Sequence, residues 1–476
     1  MKDEKVVGQL DVLKDNYAQE KVQLKEKIKN QKAVEKQEFL SKKAKCIEEH
    51  NARLAELKAN LANASNDKKE ELKLEISNEN YYHKHHINDI QKEYKEKQQA
   101  HKDEINDTFL AFYREAKKVS GDKVGLGIKL QKKVNDEIYK FNLKQFFLSN
   151  GLYMIIIAFI IAAIIIAPAI GRGNLLTGTN ILTILEQSST RIFFALGVAG
   201  LILLGGTDLS IGRLVGLGAV ITCIILHPGE NIIKIFGITT NFDSVPMFVR
   251  VLMSLSLSVL FCVLFSALAG FFTAKLNMHP FVTTLATQLI VFGLLCFATN
   301  TTSSGTIDFG IKNMLAGRLG GVFPTLIIYA VICIAVVWFI WNKTRFGKNM
   351  YAVGGNKEAA AVSGINVFKT TLLVFVFAGV LYGIGSFLEG LRIGTAVATT
   401  GTGYELDAIA ACVVGGISFS GGIGKVKGAV VGVVLFTAIT YILTFLGLDA
   451  NIQFILKGAI IMSAVALDSV KYLKRK

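Results

Sequence analysis

Gly151-Leu-Tyr-Met-Ile-Ile-Ile-Ala-Phe-Ile-Ile-Ala-Ala-Ile-Ile-Ile-Ala-Pro168 runs without a single charge. A helix needs about 17 to 25 mainly apolar residues to cross a bilayer, so this stretch reads as a first membrane span. Upstream of it the chain has a different character. Residues 1–150 hold 31 Lys or Arg and 26 Asp or Glu, whereas the other 326 residues hold 21 and 11. Pro168 is the first proline, and only Gly8, Gly121, Gly125 and Gly127 interrupt the first 150 residues out of 44 glycines in all. No single globular domain mixes composition in that way. The division expected is a charged helical extension at 1–142 and a transmembrane domain at 143–476.

Downstream, comparable runs lie near 183–206, 209–226, 249–274, 281–298, 323–341, 371–390, 405–420, 428–447 and 453–470. The expected fold class is therefore all-α: a polytopic helical membrane protein with about ten transmembrane helices, preceded by a long hydrophilic helical hairpin or coiled coil. No apolar h-region precedes Phe146, so the first span is expected to act as an uncleaved anchor. With the arm inside, cytoplasmic loops and tail collect twelve Lys or Arg and outer loops six. That bias predicts a multi-pass protein of the inner (plasma) membrane with both termini cytoplasmic, which needs an even number of spans.

The six cysteines stand singly, without metal-binding or redox spacing, and read as small packing residues. His83, His85 and His86 sit among Tyr, Lys and Asn with no cysteine near them in sequence, which reads as a solvated face, so no metal and no cofactor are expected. Charges inside apolar runs carry more information, because they usually face a bundle interior or a polar path. One cluster is Gly205-Gly206-Thr207-Asp208-Leu209-Ser210-Ile211-Gly212-Arg213. Another is Glu389-Gly390-Leu391-Arg392, and a third is Tyr404-Glu405-Leu406-Asp407 followed by Gly415-Gly416-Ile417-Ser418-Phe419-Ser420-Gly421-Gly422. Asp208, Glu405 and Asp407 either cap helix starts and pair with Arg213 or Arg392, or line a substrate path. Gly428 with Gly432, and Gly379 with Gly383, have the spacing that lets membrane helices approach closely.

Gly421-Gly422-Ile423-Gly424-Lys425-Val426 is the nearest approach to a Walker A loop, but it lacks the first glycine and the Ser or Thr after the lysine. No nucleophile elbow and no HExxH sequence occurs either, so the chain reads as a transport subunit and not an enzyme. From Asn342 to Lys369 runs the longest hydrophilic stretch between later spans. Within it Asn356 can cap a short helix starting at Lys357, and Gly364 can end it.

That segment resembles the cytoplasmic coupling loop of permease subunits from ATP-binding-cassette sugar importers of the ribose, xylose and galactose group. Gly206-Thr-Asp-Leu-Ser-Ile-Gly-Arg and Tyr404-Glu-Leu-Asp-Ala-Ile-Ala-Ala-Cys-Val-Val-Gly-Gly are similar to the same family. Trp341-Asn-Lys-Thr-Arg-Phe-Gly-Lys-Asn and the segment from Leu456 to Tyr472 point within the group to galactose and methyl-galactoside permeases. The resemblance covers about 143–476. It implies a cytoplasmic ATPase subunit as partner, a sugar-binding protein outside, and a second permease subunit forming a homodimer. On that reading Gly355, Asn356, Glu358, Ala359, Ala360, Ser363 and Gly364 contact the ATPase. Gly206, Thr207, Asp208, Ser210, Glu405 and Asp407 are candidates for the pathway or its gates. Ribose, xylose, a nucleoside or another small polar solute stays open as the cargo, as does a membrane-anchored scaffold acting through its arm.

The arm has no counterpart in that resemblance. Its apolar residues fall in patches: Val6, Leu10, Leu13, Tyr17 and Leu24; Leu54, Leu57 and Leu61; Ile87, Ile90 and Tyr94. A break at Asn63-Ala64-Ser65-Asn66-Asp67, with Asp67 and Glu70 as a capping box, predicts two antiparallel helices of about 50 residues, ended by Ser120, Gly121 and Asp122. A single solvated helix or a disordered polyampholyte is the alternative. Its charges nearly balance, so nucleic acid is not expected as a partner. Lys129, Lys132, Lys133, Lys140 and Lys144 precede the first span, where they could touch the lipid bilayer.

Overall fold

The computed structural model describes residues 2–63, 66–120, 126–140 and 143–473. It divides into two compact units, residues 1–146 and 147–476.

The first unit consists of α1 (Lys2–Asn63), α2 (Asn66–Ser120) and α3 (Leu126–Lys140). With 62 residues, α1 is about 90 Å long at 1.5 Å per residue, longer than the sequence suggests, whereas α2, with 55 residues ending at Ser120, is close to the expected length. Their partners run in opposite directions. Tyr17 stacks on Phe112 with ring centroids 4.6 Å apart, and Phe39 stacks on Tyr94 at 4.5 Å. Lys27 donates to Glu104, Lys42 to Glu93 and Lys97 to Glu38. A hairpin is thus formed. Exposed ion pairs contribute roughly 0–1 kcal/mol each, so the aromatic stacks and a small core of Tyr17, Phe109, Phe112, Ala116 and Ile128 do more to fix the register. α3 joins that core, and Tyr139 donates to Asp103 at 2.8 Å. Lys132 lies over the ring of Tyr113. Ala64, Ser65, Gly121, Asp122 and the side chain of Asp67 lie outside the described residues, and the capping box with them.

One sequence expectation needs correction here. His85 and His86 are exposed, as a solvated face requires. His83 instead turns inward, with its Nδ1 3.6 Å from Cys46 Sγ and its ring stacked on His50. The cysteine that sequence distance separates from it is brought there by the hairpin register.

The second unit contains α4 (Leu143–Ala169), α5 (Gly178–Leu203), α6 (Ile211–Ile225), α7 (Met247–Leu276), α8 (Pro280–Thr299), α9 (Phe309–Ala316), α10 (Leu326–Lys343), α11 (Arg345–Gly355), α12 (Lys357–Val362), α13 (Val367–Ile393), α14 (Tyr404–Val414), α15 (Val426–Phe445) and α16 (Ala450–Leu473). Two small antiparallel hairpins, β1 (Glu230–Ile235) with β2 (Ile238–Asn241) and β3 (Arg318–Leu319) with β4 (Phe323–Pro324), depart from the all-α expectation. Both lie in connections between apolar helices.

Six described helices, α5, α7, α8, α10, α13 and α15, are long and apolar enough to cross a membrane. Apolar stretches at Met154–Ala169, Ile211–Ile225 and Asn451–Ser463 are shorter. The run 405–420 is not one continuous helix. α14 has 11 residues and stops at Gly415, and Gly416 takes φ +82°, a left-handed conformation suited to glycine.

α13 sits at the centre, packed on α5, α6 and α7. Its two spaced glycines explain the fit against α7. A Cβ on Gly379 would lie 2.8 Å from the Val263 Cα, and one on Gly383 would run into the backbone at Val259. Gly428 and Gly432 of α15 meet Gly415 and Ala411 of α14 in the same way. Both glycine pairs therefore serve close helix packing. Cys223, Cys262, Cys333 and Cys412 are buried, in keeping with a packing role. Cys412 Sγ also donates to the Ala195 carbonyl at 3.2 Å.

Candidate functional site

The interruption between α5 and α6 is built from local chemistry. Gly205 takes φ +77°, and Gly205 and Gly206 donate to the carbonyls of Ile202 and Leu201, closing α5. Asp208, fully buried, then accepts from the Ser210 amide at 2.8 Å and the Ser210 hydroxyl at 2.6 Å. This turn launches α6 and satisfies donors that the broken helix would otherwise leave open. α8 clamps the turn from outside. Leu209 N donates to Thr284 Oγ1, and the Pro280 ring is 2.8 Å from where a Cβ on Gly206 would stand. The Tyr382 hydroxyl of α13 is the further neighbour of the Asp208 carboxylate, and Thr207 Oγ1 is left without a hydrogen-bond partner among the described residues.

The start of α14 packs against the start of α6. A Cβ on Gly212 would collide with Glu405 Oε2 and approach the Gly401 carbonyl. The backbone contact thus brings Glu405 beside the Asp208–Ser210 turn. Asp407 faces elsewhere, bonded to Lys457 of α16 through both oxygens at 2.9 and 3.0 Å. Neither Arg213 nor Arg392 is its partner. Arg213 donates to Thr402 and lies over the ring of Phe292.

Arg392 instead grips Glu389. Its Nε and Nη2 donate to the two carboxylate oxygens at 2.9 and 2.7 Å, and the Tyr404 hydroxyl adds a bond of 2.7 Å. The side chain of Glu389 is 0% exposed and that of Arg392 20%. Arg191 stands over the Tyr404 ring, and its Nε and Nη1 are buried without partners among the described residues. Arg191, Phe194, Tyr404 and Asp407 line a cleft of about 10 Å³, enough for one water. It is closed to a sugar as it stands. A groove of about 540 Å³ beside Phe193, Leu255, Tyr329, Val336, Phe377 and Leu388 is far larger, but it offers almost no polar atoms to a polyol.

The hydrophilic connection after α10 is capped throughout. Thr344 caps α11, and Asn356 caps α12 by accepting from the Ala359 amide at 2.9 Å. At the far end, Gly364 N donates to Ala361 O and Ile365 N to Ala360 O, while Gly364 takes φ +82°. This is a Schellman ending, and Asn366 then caps α13. The cap pair Asn356 and Gly364 is as the sequence chemistry indicates. Gly355, Asn356, Glu358, Ala359, Ser363 and Gly364 are exposed, whereas Ala360 is buried as the inward anchor of the turn. Val362 is 91% exposed, an apolar side chain held out on a short, fully capped helix.

Three segments meet behind this element. Gly354, at the end of α11, lies so close to the Leu203 carbonyl and the Gly422 amide that a Cβ would strike both. Gly422 N donates to Leu203 O at 2.8 Å, and Tyr351 donates to Gly424 O at 2.9 Å. The glycine turn that resembles a Walker loop is therefore a packing joint between α11 and the end of α5.

Sequence reasoning missed Val362, Lys457, Arg191 and the tyrosine bond to Glu389. Lys457 is the one lysine inside the last apolar run, and Glu389 and Arg392 have i,i+3 spacing, which were the available signals.

Residues 180–465 match the family described as branched-chain amino acid transport system / permease component. The chain is 62% identical over 347 residues to a galactose/methyl galactoside import permease of Treponema pallidum, covering 71% of this chain and 65% of that protein. It spans just under two thirds of that relative's length. The Escherichia coli galactose/methyl galactoside import permease is 45% identical over 333 residues, 69% of this chain and 96% of that one. An E. coli ribose import permease is 34% identical over 304 residues, covering 63% and 88%. No solved structure matches.

Proposed function

The chain belongs to the permease-component family of membrane importers, and on that premise we propose that it is the permease subunit of an ATP-binding-cassette importer carrying galactose or methyl galactoside into the cytoplasm. The observation that carries the sugar assignment is the wide margin of likeness to galactose permeases over a ribose permease, sustained across nearly the whole E. coli protein.

In this proposal ATP is hydrolysed on a separate cytoplasmic subunit, a sugar-binding protein delivers cargo outside, and two permease chains form the path. An even number of crossings, built on the six long apolar helices with the shorter apolar stretches of α4, α6 and α16 and the α14 region, would put both termini in the cytoplasm, on the side where Lys and Arg are in excess. α12 is the seat of the ATPase: Val362 and Glu358 are presented to it, while Asn356, Ser363 and Gly364 hold the turn in shape. The joint of Gly354, Leu203 and Gly422 passes a displacement of α12 to the α5–α6 turn, so ATPase closure changes the relative stability of inward- and outward-open states. Asp208 and Ser210 serve the turn as a gate hinge, since one Asp208 oxygen takes both Ser210 donors. Thr207, Arg191, Glu405 and Asp407 are the polar groups assigned to the path. A neutral sugar asks for hydroxyl partners and an aromatic face, which Thr207, Arg191 and Tyr404 supply.

Uptake of labelled methyl galactoside and of ribose by cells lacking and re-expressing the gene is the test. Galactoside uptake should vanish on deletion and return on re-expression while ribose uptake is unmoved. Unchanged galactoside uptake with loss of another solute would overturn the assignment.

A further inference from the structure

We propose that the helical arm carries a binding site for a borderline-soft divalent transition metal, for which Zn²⁺ is the probe, built from Cys46 and His50 on α1 and Glu79 and His83 on α2. Residues four apart on a helix share a face. Cys46 and His50 are such a pair, and so are Glu79 and His83. The antiparallel register sets the two pairs against each other: Cys46 Sγ is 3.6 Å from His83 Nδ1, and His50 Nδ1 is 3.2 Å from Glu79 Oε1. The two imidazoles stack with centroids 3.8 Å apart and planes 9° from parallel.

Those cross-helix distances have a meaning beyond hydrogen bonding. With Zn–S near 2.3 Å and Zn–N or Zn–O near 2.0–2.1 Å, a tetrahedral site has donor-to-donor edges of about 3.6 Å for S···N and about 3.3 Å for N···O. Both observed contacts have about those lengths. A thiol, two imidazoles and one carboxylate are also the donor set that Zn²⁺ or Co²⁺ takes in preference to Ca²⁺ or Mg²⁺. The site is partly screened from water, with the side chains of His50 and Glu79 at 10% and 27% exposure. As the side chains stand, no three donors among the described residues converge on one point. What separates the two pairs is the imidazole stack, so both rings must turn before the four donors can meet on one ion.

A built-in comparison lies on the same hairpin. His101 Nε2 is 3.0 Å from both carboxylate oxygens of Glu35, and the further partner of that carboxylate is the Gln98 amide, not a thiol or a second imidazole. His101 should therefore be indifferent to metal.

The experiment uses the full chain, purified in detergent without a polyhistidine tag and stripped by chelator. Titration with Co²⁺ should give a near-ultraviolet thiolate-to-cobalt band and tetrahedral d–d bands that saturate at one equivalent and are abolished by Zn²⁺. Cys46→Ser should remove the thiolate band. His50→Gln and His83→Gln should each weaken binding about 100-fold, and His101→Gln should leave it unchanged, with helicity by circular dichroism equal in all four. Absence of saturable binding in the wild-type chain, or the same affinity in Cys46→Ser and His83→Gln as in the wild type, overturns the proposal and leaves the cluster a hydrogen-bonded seam.

Discussion

Replacement of Arg392 by Gln should damage the membrane unit more than replacement of Glu389 by Gln, although both break the same ion pair. Glu389 is wholly buried and holds two bonds from Arg392 and one from Tyr404, whereas the Arg392 side chain keeps 20% of its surface exposed. Loss of the arginine leaves a buried carboxylate with one neutral donor, and removing one partner of a buried pair destabilises by about 3–5 kcal/mol. Loss of the carboxylate charge leaves an arginine that can still reach water and that stands in the last turn of α13, where the helix dipole favours a cation. About 2 kcal/mol is the expectation for Glu389→Gln, near the value of a hydrogen bond to a charged group. The double variant Glu389→Gln/Arg392→Gln leaves no unpaired charge, so it should be milder than Arg392→Gln alone. Thermal unfolding of the purified chain in detergent, followed through the fluorescence of Trp338 and Trp341, reads these differences. At about 2 °C per kcal/mol for a unit of this size, Arg392→Gln lowers the midpoint by about 6 °C or more. Equal effects of the two single variants, or a double variant equal to their sum, would refute the reasoning.

Gly354→Val should abolish uptake at matched expression, because the new side chain drives α11 away from Leu203 and Gly422; overpacking of this kind costs about 1–3 kcal/mol, and normal uptake would show that the joint transmits nothing. Asn356→Ala removes the cap of α12, worth about 1 kcal/mol. It should reduce both co-purification of the ATPase and uptake, with Asn356→Asp restoring them; full uptake in the alanine variant would count against α12 as the docking seat. In the arm, the bond from Lys42 holds the Glu93 carboxyl below its ordinary value of 4.5. A lowered folded-state value means that the bond adds stability above about pH 4.5 and loses it as pH falls through the folded value. The protection factors of α2 amides around Glu93, which remove the intrinsic pH dependence of exchange, should fall on acidification through that window, and Glu93→Gln should flatten the response; an identical pH response in the variant would exclude Glu93 as its source.

The features legible in sequence are those set by nearest neighbours along the chain. Asn356 and Gly364 announce α12 because capping and left-handed glycine chemistry act within a few residues. Gly379 with Gly383, and Gly428 with Gly432, announce close packing without naming the partner, which turns out to be α7 for one pair and α14 for the other. The run 405–420 reads as a span by apolarity alone, and the doublet Gly415-Gly416 that ends α14 was the signal against it. Long-range pairing is where the sequence falls silent. Lys457 finds Asp407 across 50 residues, and His83 finds Cys46 through a hairpin register fixed by aromatic stacks elsewhere on the same helices. Nothing in local propensity encodes either meeting.

The antiparallel run of α1 and α2 also bears on how such an arm can change over generations. A hairpin brings its outgoing and returning strands of chain back to one end, so equal insertions in both helices would extend its reach and leave that end as it was. An insertion in only one helix would break the register across its own position, so one falling between Lys27 and Phe39 could not keep both Lys27 with Glu104 and Phe39 with Tyr94. Length in this arm should therefore drift by matched increments, about 10 Å for each seven residues added to both helices, while unmatched changes are purged through lost register.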